Sequence, residues 1–109
     1  MGLTKTEIFT EEQNKLAIML KALAHPARIA ILQEIINANA CICGDLSTEL
    51  GLAQATISQH LKELKNAGLI KGTIEGVSVC YCINPETWAI LKNELSGFLN
   101  TVGSTNSCC

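Results

Sequence analysis

A mainly α-helical fold carrying one small β-hairpin is predicted by three features of the chain. Apolar residues recur at helical spacing through most of its length. Only over residues 69–83 does the period fall to two, and there Glu75-Gly76 splits two β-rich runs, as in a tight hairpin. Residues 45–69 read as two short helices joined at Gly51 and closed by Gly68, the pattern of a helix–turn–helix. The predicted order is four helices, a hairpin and a final helix, in one domain spanning 1–109 with flexible tails at 1–10 and 101–109.

The first helix is expected over residues 10–24, with Leu16, Met19, Leu20 and Leu23 on one side. Thr10 is its N-cap candidate, and Glu11 and Glu12 suit the positive end of the helix dipole. His25-Pro26 interrupts, and proline is well placed to open a new helix. That helix, residues 26–37, is apolar nearly all round and should be the central, most buried one. A third helix is expected over 45–50 and a fourth over 53–67, where Ile57, Leu61 and Leu64 form one buried stripe. In the second β-run Val77, Val79, Tyr81 and Ile83 point one way, and Ser78, Cys80 and Cys82 the other. Asn84-Pro85-Glu86 opens the last helix by the cap-then-proline rule. Its Trp88, Leu91, Leu95, Phe98 and Leu99 make a broad apolar side, a candidate homodimer interface together with the first helix.

With 109 residues the chain can bury one core, and at 48% hydrophobic and 17% charged it is expected to fold. Aromatic residues are only 4%, so that core must be mostly aliphatic. A net charge of −2 excludes a protein that coats nucleic acid by bulk charge, whereas a specific binder needs only a local basic patch, which Lys62, Lys65 and Lys71 supply. No apolar run approaches the ~20 residues that cross a bilayer, and the N-terminus lacks a signal-peptide core. The expected location is the cytoplasm, without membrane attachment. Six cysteines in a reducing compartment point to metal or redox chemistry rather than to structural disulfides. No nucleophile–base–acid set is apparent, so the chain does not read as an enzyme.

The outward side of the fourth helix carries Gln54, Ala55, Ser58, Gln59, Lys62 and Lys65. Small side chains, amides and a hydroxyl suit the edges of bases in a major groove, and the lysines suit phosphates. The plain alternative is a solvated surface helix, but the helix–Gly–turn before it favours DNA binding. His25 and His60 read as structural, one preceding a helix start and the other at the edge of the buried stripe, with His60 also in reach of a phosphate.

With its hairpin added, the arrangement is a winged helix–turn–helix. Residues 12–100 resemble the ArsR/SmtB family of bacterial metal- and redox-responsive repressors, in the arsenite-sensing branch. The resemblance is carried by Leu23-Ala24-His25-Pro26-Ala27-Arg28-Ile29-Ala30-Ile31-Leu32, by Cys41-Ile42-Cys43, and above all by residues 54–64 (QATISQHLKEL) followed by Ala67-Gly68-Leu69-Ile70. It implies a homodimer bound across an inverted repeat of double-stranded DNA, with DNA contact falling to Gln54, Thr56, Ser58, Gln59, His60, Lys62 and Lys65. The half-sites would lie one helical turn apart, about 34–36 Å. Two departures stand out: Ala53 replaces a capping serine, and Glu75-Gly76 lacks the basic residues common at the family's wing tip.

Cys41 and Cys43 fall at the family's sensing position, the entrance to the third helix. Thiols at i and i+2 diverge by about 200° on a helix but converge on one side of extended chain. Chelation by both would hold this segment extended and so act on the helix pair behind it. Soft sulfur donors select arsenite, antimonite, Cd(II), Cu(I) or Zn(II). Gly44 and Ser47 stand where arsenic sensors often place a third cysteine, so a third sulfur must come from elsewhere. Cys108 and Cys109 are the candidate donors, while Cys80 and Cys82 share a strand face and form a possible second site or simply pack. Three readings compete: a repressor released by arsenite or antimonite, a repressor switched by thiol oxidation or persulfide, and a thiol-rich metal-binding protein with no DNA role. Indifference to DNA at low salt would single out the last.

Overall fold

The computed structural model describes residues 8–44, 46–73 and 79–103. Helix α1 spans Glu11–Leu23, and Thr10 caps it as expected. The Gln13 amide N–H donates to Thr10 Oγ1 at 3.1 Å, and the Thr10 N–H donates to Gln13 Oε1 at 2.9 Å. Two of the four N–H groups that a helix start leaves unpaired are thus satisfied reciprocally.

Helix α2, Pro26–Ala38, begins with proline, and His25 Nδ1 accepts from the Ala27 N–H at 3.0 Å. His25 is therefore the N-cap, a structural role. Helix α2 packs against α1, against the fourth helix and against the hairpin, so it buries Ile31, Leu32 and Ile35 but not its whole circumference. Ile29 and Ile36 lie on its outer side and stay exposed, so its nearly continuous apolar circumference is buried on one side only.

Asn39 ends α2 in a left-handed conformation, and the chain then runs into a strand the sequence did not predict, β1, Ile42–Cys43. The third helix, α3, is shorter than expected, Ser47–Leu50. Leu46 before it is buried in the core, and Asp45, the expected helix start, lies outside the described residues. Gly51 terminates α3 at φ 68°, as the sequence predicted. Helix α4, Gln54–Asn66, starts behind Ala53 without a side-chain cap and buries Ile57, Leu61 and Leu64.

Strands β2, Ile70–Thr73, and β3, Cys80–Ile83, form the expected hairpin. Its tip, with Glu75-Gly76, lies outside the described residues. The three strands make one antiparallel sheet in the order β1-β3-β2. Helix α5, Pro85–Asn100, follows directly; Asn84 is its N-cap residue but makes no side-chain cap bond. Trp88 Nε1 donates to the Leu69 carbonyl at 2.9 Å and fastens α5 to the end of the helix–turn–helix.

The core is aliphatic apart from Tyr81: Met19 and Ala22 from α1, Ile31, Leu32 and Ile35 from α2, the α4 stripe, then Leu69, Ile70 and Leu91. Helices α1 and α5 pack together. Ile18 on α1 and Phe98 and Leu99 on α5 remain 58–59% exposed. Among the described residues no single helix is long and apolar enough to cross a membrane.

Candidate nucleic-acid interface and thiol array

Helix α4 is held by its buried stripe, so its opposite side is presented as a fixed surface. Outside the stripe Gln54, Ala55, Thr56, Gln59, Lys62 and Lys65 are exposed, and Ser58 is half-buried. Thirteen residues make a rod about 20 Å long, enough to lie along a major groove. Gln54 Nε2 reaches Ser58 Oγ at 3.4 Å, and Gln59 Nε2 reaches Glu63 Oε1 at 3.4 Å. These are long bonds on an exposed face, easily exchanged for bonds to base edges.

His60 stands in a different environment from the rest of the predicted contact set. It is half-buried, its Nδ1 accepts from Arg28 Nε at 3.2 Å, and its ring lies 4.5 Å from that of His25. Arg28 Nη1 also donates to the Ala22 carbonyl at 3.2 Å, so one guanidinium ties α1, α2 and α4 together. Desolvation, then the neighbouring His25 and Arg28, lower the His60 pKa below the ordinary imidazole range, with Glu63 opposing. The folded protein therefore binds fewer protons here than the unfolded chain. Stability is full above the ordinary imidazole range and is lost as pH falls through about 6.5 towards the lower folded value. Melting temperatures between about pH 5 and 8 should show this loss, reduced in His60→Gln.

The cysteines are organised by the sheet. Ile42 pairs with Tyr81 and Cys43 with Cys80, and continuing that register sets Cys41 opposite Cys82. The Gly44 N–H donates to the Val79 carbonyl at 2.9 Å, which makes the Cys43/Cys80 rung a non-hydrogen-bonded pair, the kind whose side chains lie closest. Cys43 and Cys80 form a disulfide, with Cα atoms 4.0 Å apart. Cys41 is exposed and Cys82 half-buried, both as free thiols. Interaction with Cys82 is the main cause holding the Cys41 thiol above the ordinary cysteine range. Desolvation and the charge of Cys82 add to it, and Lys71 opposes them. Because Tyr81 is buried on the core side, residues one place either side of it face outward with their partners. All four sulfurs thus belong to one face of the sheet.

Two pairs that the sequence offered as separate sites are consequently one array. On the same face Lys71 of β2 stands opposite Cys82. A cleft of about 480 Å³ between the end of α2 and the sheet is lined by Ile36, Asn39, Cys41, Lys71 and Cys82 among others. With Cys43 and Cys80 bonded to each other, the described residues hold no group of three Cys, His, Asp or Glu side chains poised for a metal ion. Cys108 and Cys109 lie outside the described residues. Sequence reasoning missed the array because it depends on the pairing of strands 37 residues apart; the repeated Cys-x-Cys spacing was its only local sign.

A helix–turn–helix with an exposed amide- and lysine-bearing second helix, flanked by a two-stranded wing, defines a DNA-binding winged helix–turn–helix protein. Comparison with known proteins gives the same class. Residues 25–71 match the family described as "Bacterial regulatory protein, arsR family". The chain is 32% identical over 96 residues to the HTH-type transcriptional regulator CmtR of Mycobacterium tuberculosis, covering 88% of this chain and 80% of that protein. It is 41% identical over 63 residues to the HTH-type transcriptional repressor SmtB of the same species, covering 58% and 46%. Among solved structures, HlyU from Vibrio cholerae superposes with a TM-score of 0.62 at 30% identity, covering 86% of this chain and all of that one. The chain belongs to the ArsR family of DNA-binding transcriptional regulators, a non-enzymatic family.

Proposed function

We propose that this protein is a cytoplasmic, homodimeric repressor that holds an inverted-repeat operator through α4. It releases the DNA when Cys41 and Cys43 ligate As(III) or Sb(III), with Cd(II) and Zn(II) as the other candidate ions. The observation that carries the reading is strand β1 with Cys41 just ahead of it: its register, continued by one residue, sets both thiols on one side of the chain at the entrance to α3.

Thiolates fit soft ions, and such an ion, when bound, ties together sulfurs that are otherwise independent. The chain's own part in the mechanism runs through a short connection. Leu46 anchors the start of α3 in the core, α3 is a single turn, and Gly51 passes directly to α4. Any change in how β1 is held is therefore delivered within about ten residues to the start of the recognition helix. A coupling of about 1–3 kcal/mol, or 5- to 150-fold in affinity, is the usual scale for two linked sites. Exposed Gln54, Thr56 and Gln59 and half-buried Ser58 read bases in this scheme, and Lys62 and Lys65 neutralise phosphates.

Operator binding measured by gel shift, with and without arsenite, tests the reading. The native dimer is expected to lose affinity within that range, and Cys41→Ser/Cys43→Ser is expected to bind equally well but stay bound. Equal release from both proteins would remove the cysteine pair from the mechanism.

The redox reading is favoured by a different observation, the Cys43–Cys80 disulfide. A peroxide or persulfide that accepts two electrons from this pair would tie β1 to β3 without any metal. In that case oxidant, and not arsenite, would release the DNA, and mass spectrometry of the released protein would show the bridge.

A further inference from the structure

We infer that the third sulfur ligand comes from the wing strand β3, so that Cys80 and Cys82 complete a single site with Cys41 and Cys43. This rests on the proposed thiol-ligating function and names the source of its remaining donors. Four observations support it. The register sets Cys80 opposite Cys43 and extends to set Cys82 opposite Cys41. Cys43 and Cys80 are covalently joined, and Cys41 and Cys82 line the same cleft. All four share the face of the sheet away from the buried Tyr81. The cleft beside Cys41 and Cys82, lined also by Lys71, leaves room for a bound ion.

Full exchange of the three hydroxyls of arsenous acid takes three sulfurs, and Cys41 and Cys43 supply two. Three As–O bonds are exchanged for three As–S bonds, the thiol protons leave with the hydroxyls as three molecules of water, and no electrons are transferred. A four-sulfur set also matches the tetrahedral preference of Cd(II) and Zn(II). The disulfide has a direct consequence: while Cys43 and Cys80 are bonded to each other they cannot ligate an ion. Reduction by a cellular thiol, two electrons and two protons per bridge, must come first, so oxidation and ligand binding compete for the same sulfurs. Ligation across β1 and β3 would also join the entrance of α3 to the wing, the two parts that flank the recognition helix.

The test is arsenic X-ray absorption on the full-length protein reduced with a phosphine, which adds no competing thiol. Three proteins are compared: native, Cys80→Ser/Cys82→Ser, and Cys108→Ser/Cys109→Ser. Three sulfurs per arsenic are expected in the native protein and in the tail variant, falling to two in the β3 variant. Three sulfurs retained in the β3 variant, or lost in the tail variant, would overturn the assignment, as would failure of the reduced native protein to bind arsenite. Cys80 and Cys82 are half-buried, and Cys108 and Cys109 lie outside the described residues, so circular dichroism on the same samples checks folding. Operator release measured in parallel reads the regulatory function separately. A three-sulfur site that leaves DNA binding untouched supports the ligand assignment while contradicting the proposed function.

Discussion

Phe98→Glu is expected to convert the proposed dimer to a monomer and to weaken operator binding by about a hundredfold or more. Phe98 is 59% exposed on α5, beside Leu99 and near the contact of α5 with α1, where Ile18 is equally exposed. Large apolar side chains left in water on two adjacent helices form the kind of patch that an association surface covers. A shallow cavity between α1 and α5, lined by Leu16, Gly97 and Phe98 among others, would accept side chains from the second copy. A charge placed at the centre of that patch would have to be buried unpaired in the dimer, at a cost of several kcal/mol. A monomer holds only one half-site, so it loses the effective-concentration gain of the second, commonly 10²–10⁴. The monomer should keep its fold, because Phe98 is not part of the core. Sedimentation and gel shift at matched concentrations check both halves of the expectation: a stable dimer with native affinity would place the interface elsewhere.

Gly72→Ala is expected to cost about 3 kcal/mol, combining left-handed strain with overpacking. Gly72 sits opposite Tyr81 in β2 at φ +124°. A Cβ there would collide with the Cys80 carbonyl oxygen and come within 2.9 Å of Tyr81 Cα, both backbone atoms of β3. Backbone cannot yield as a flexible side chain does, so β2 and β3 would have to separate, and the placement of Cys80 and Cys82 would go with them. Gly51 is the control. It is also left-handed, at φ +68°, but nothing lies within 4 Å of an added Cβ, so Gly51→Ala should cost only the conformational term of about 1 kcal/mol. Thermal unfolding of the two variants should therefore differ by roughly 10 °C. Equal losses would mean that the close approach of the strands at Gly72 carries no energetic weight.

The helix–turn–helix was legible because its signals are local. Gly51 and Gly68 mark the ends, and Ile57, Leu61 and Leu64 repeat at a spacing that only a helix turns to one side. The Thr10 cap and the proline opening of α2 were legible for the same reason. Strand β1 was not: Ile42–Cys43 is a strand only because β3 lies beside it, and two residues carry no period. The nearness of the two Cys-x-Cys segments was hidden for the same reason, since local spacing cannot reveal which strands pair. Ile29 and Ile36 misled in the opposite direction, because composition counts apolar residues around α2 without showing which sides have neighbours. His60 was read correctly as an edge residue of the α4 stripe, whereas its bond to Arg28 joins residues 32 apart and has no signature in either segment.

Sulfur control of the recognition helix is tested most directly by fluorescence anisotropy of labelled operator bound to the reduced dimer, titrated with arsenite to one equivalent per protomer. Operator affinity is expected to fall about 5- to 150-fold, with the break at that equivalence and reversal when a dithiol removes the arsenic. An unchanged affinity, with absorption data showing arsenic bound to sulfur in the same sample, would contradict it.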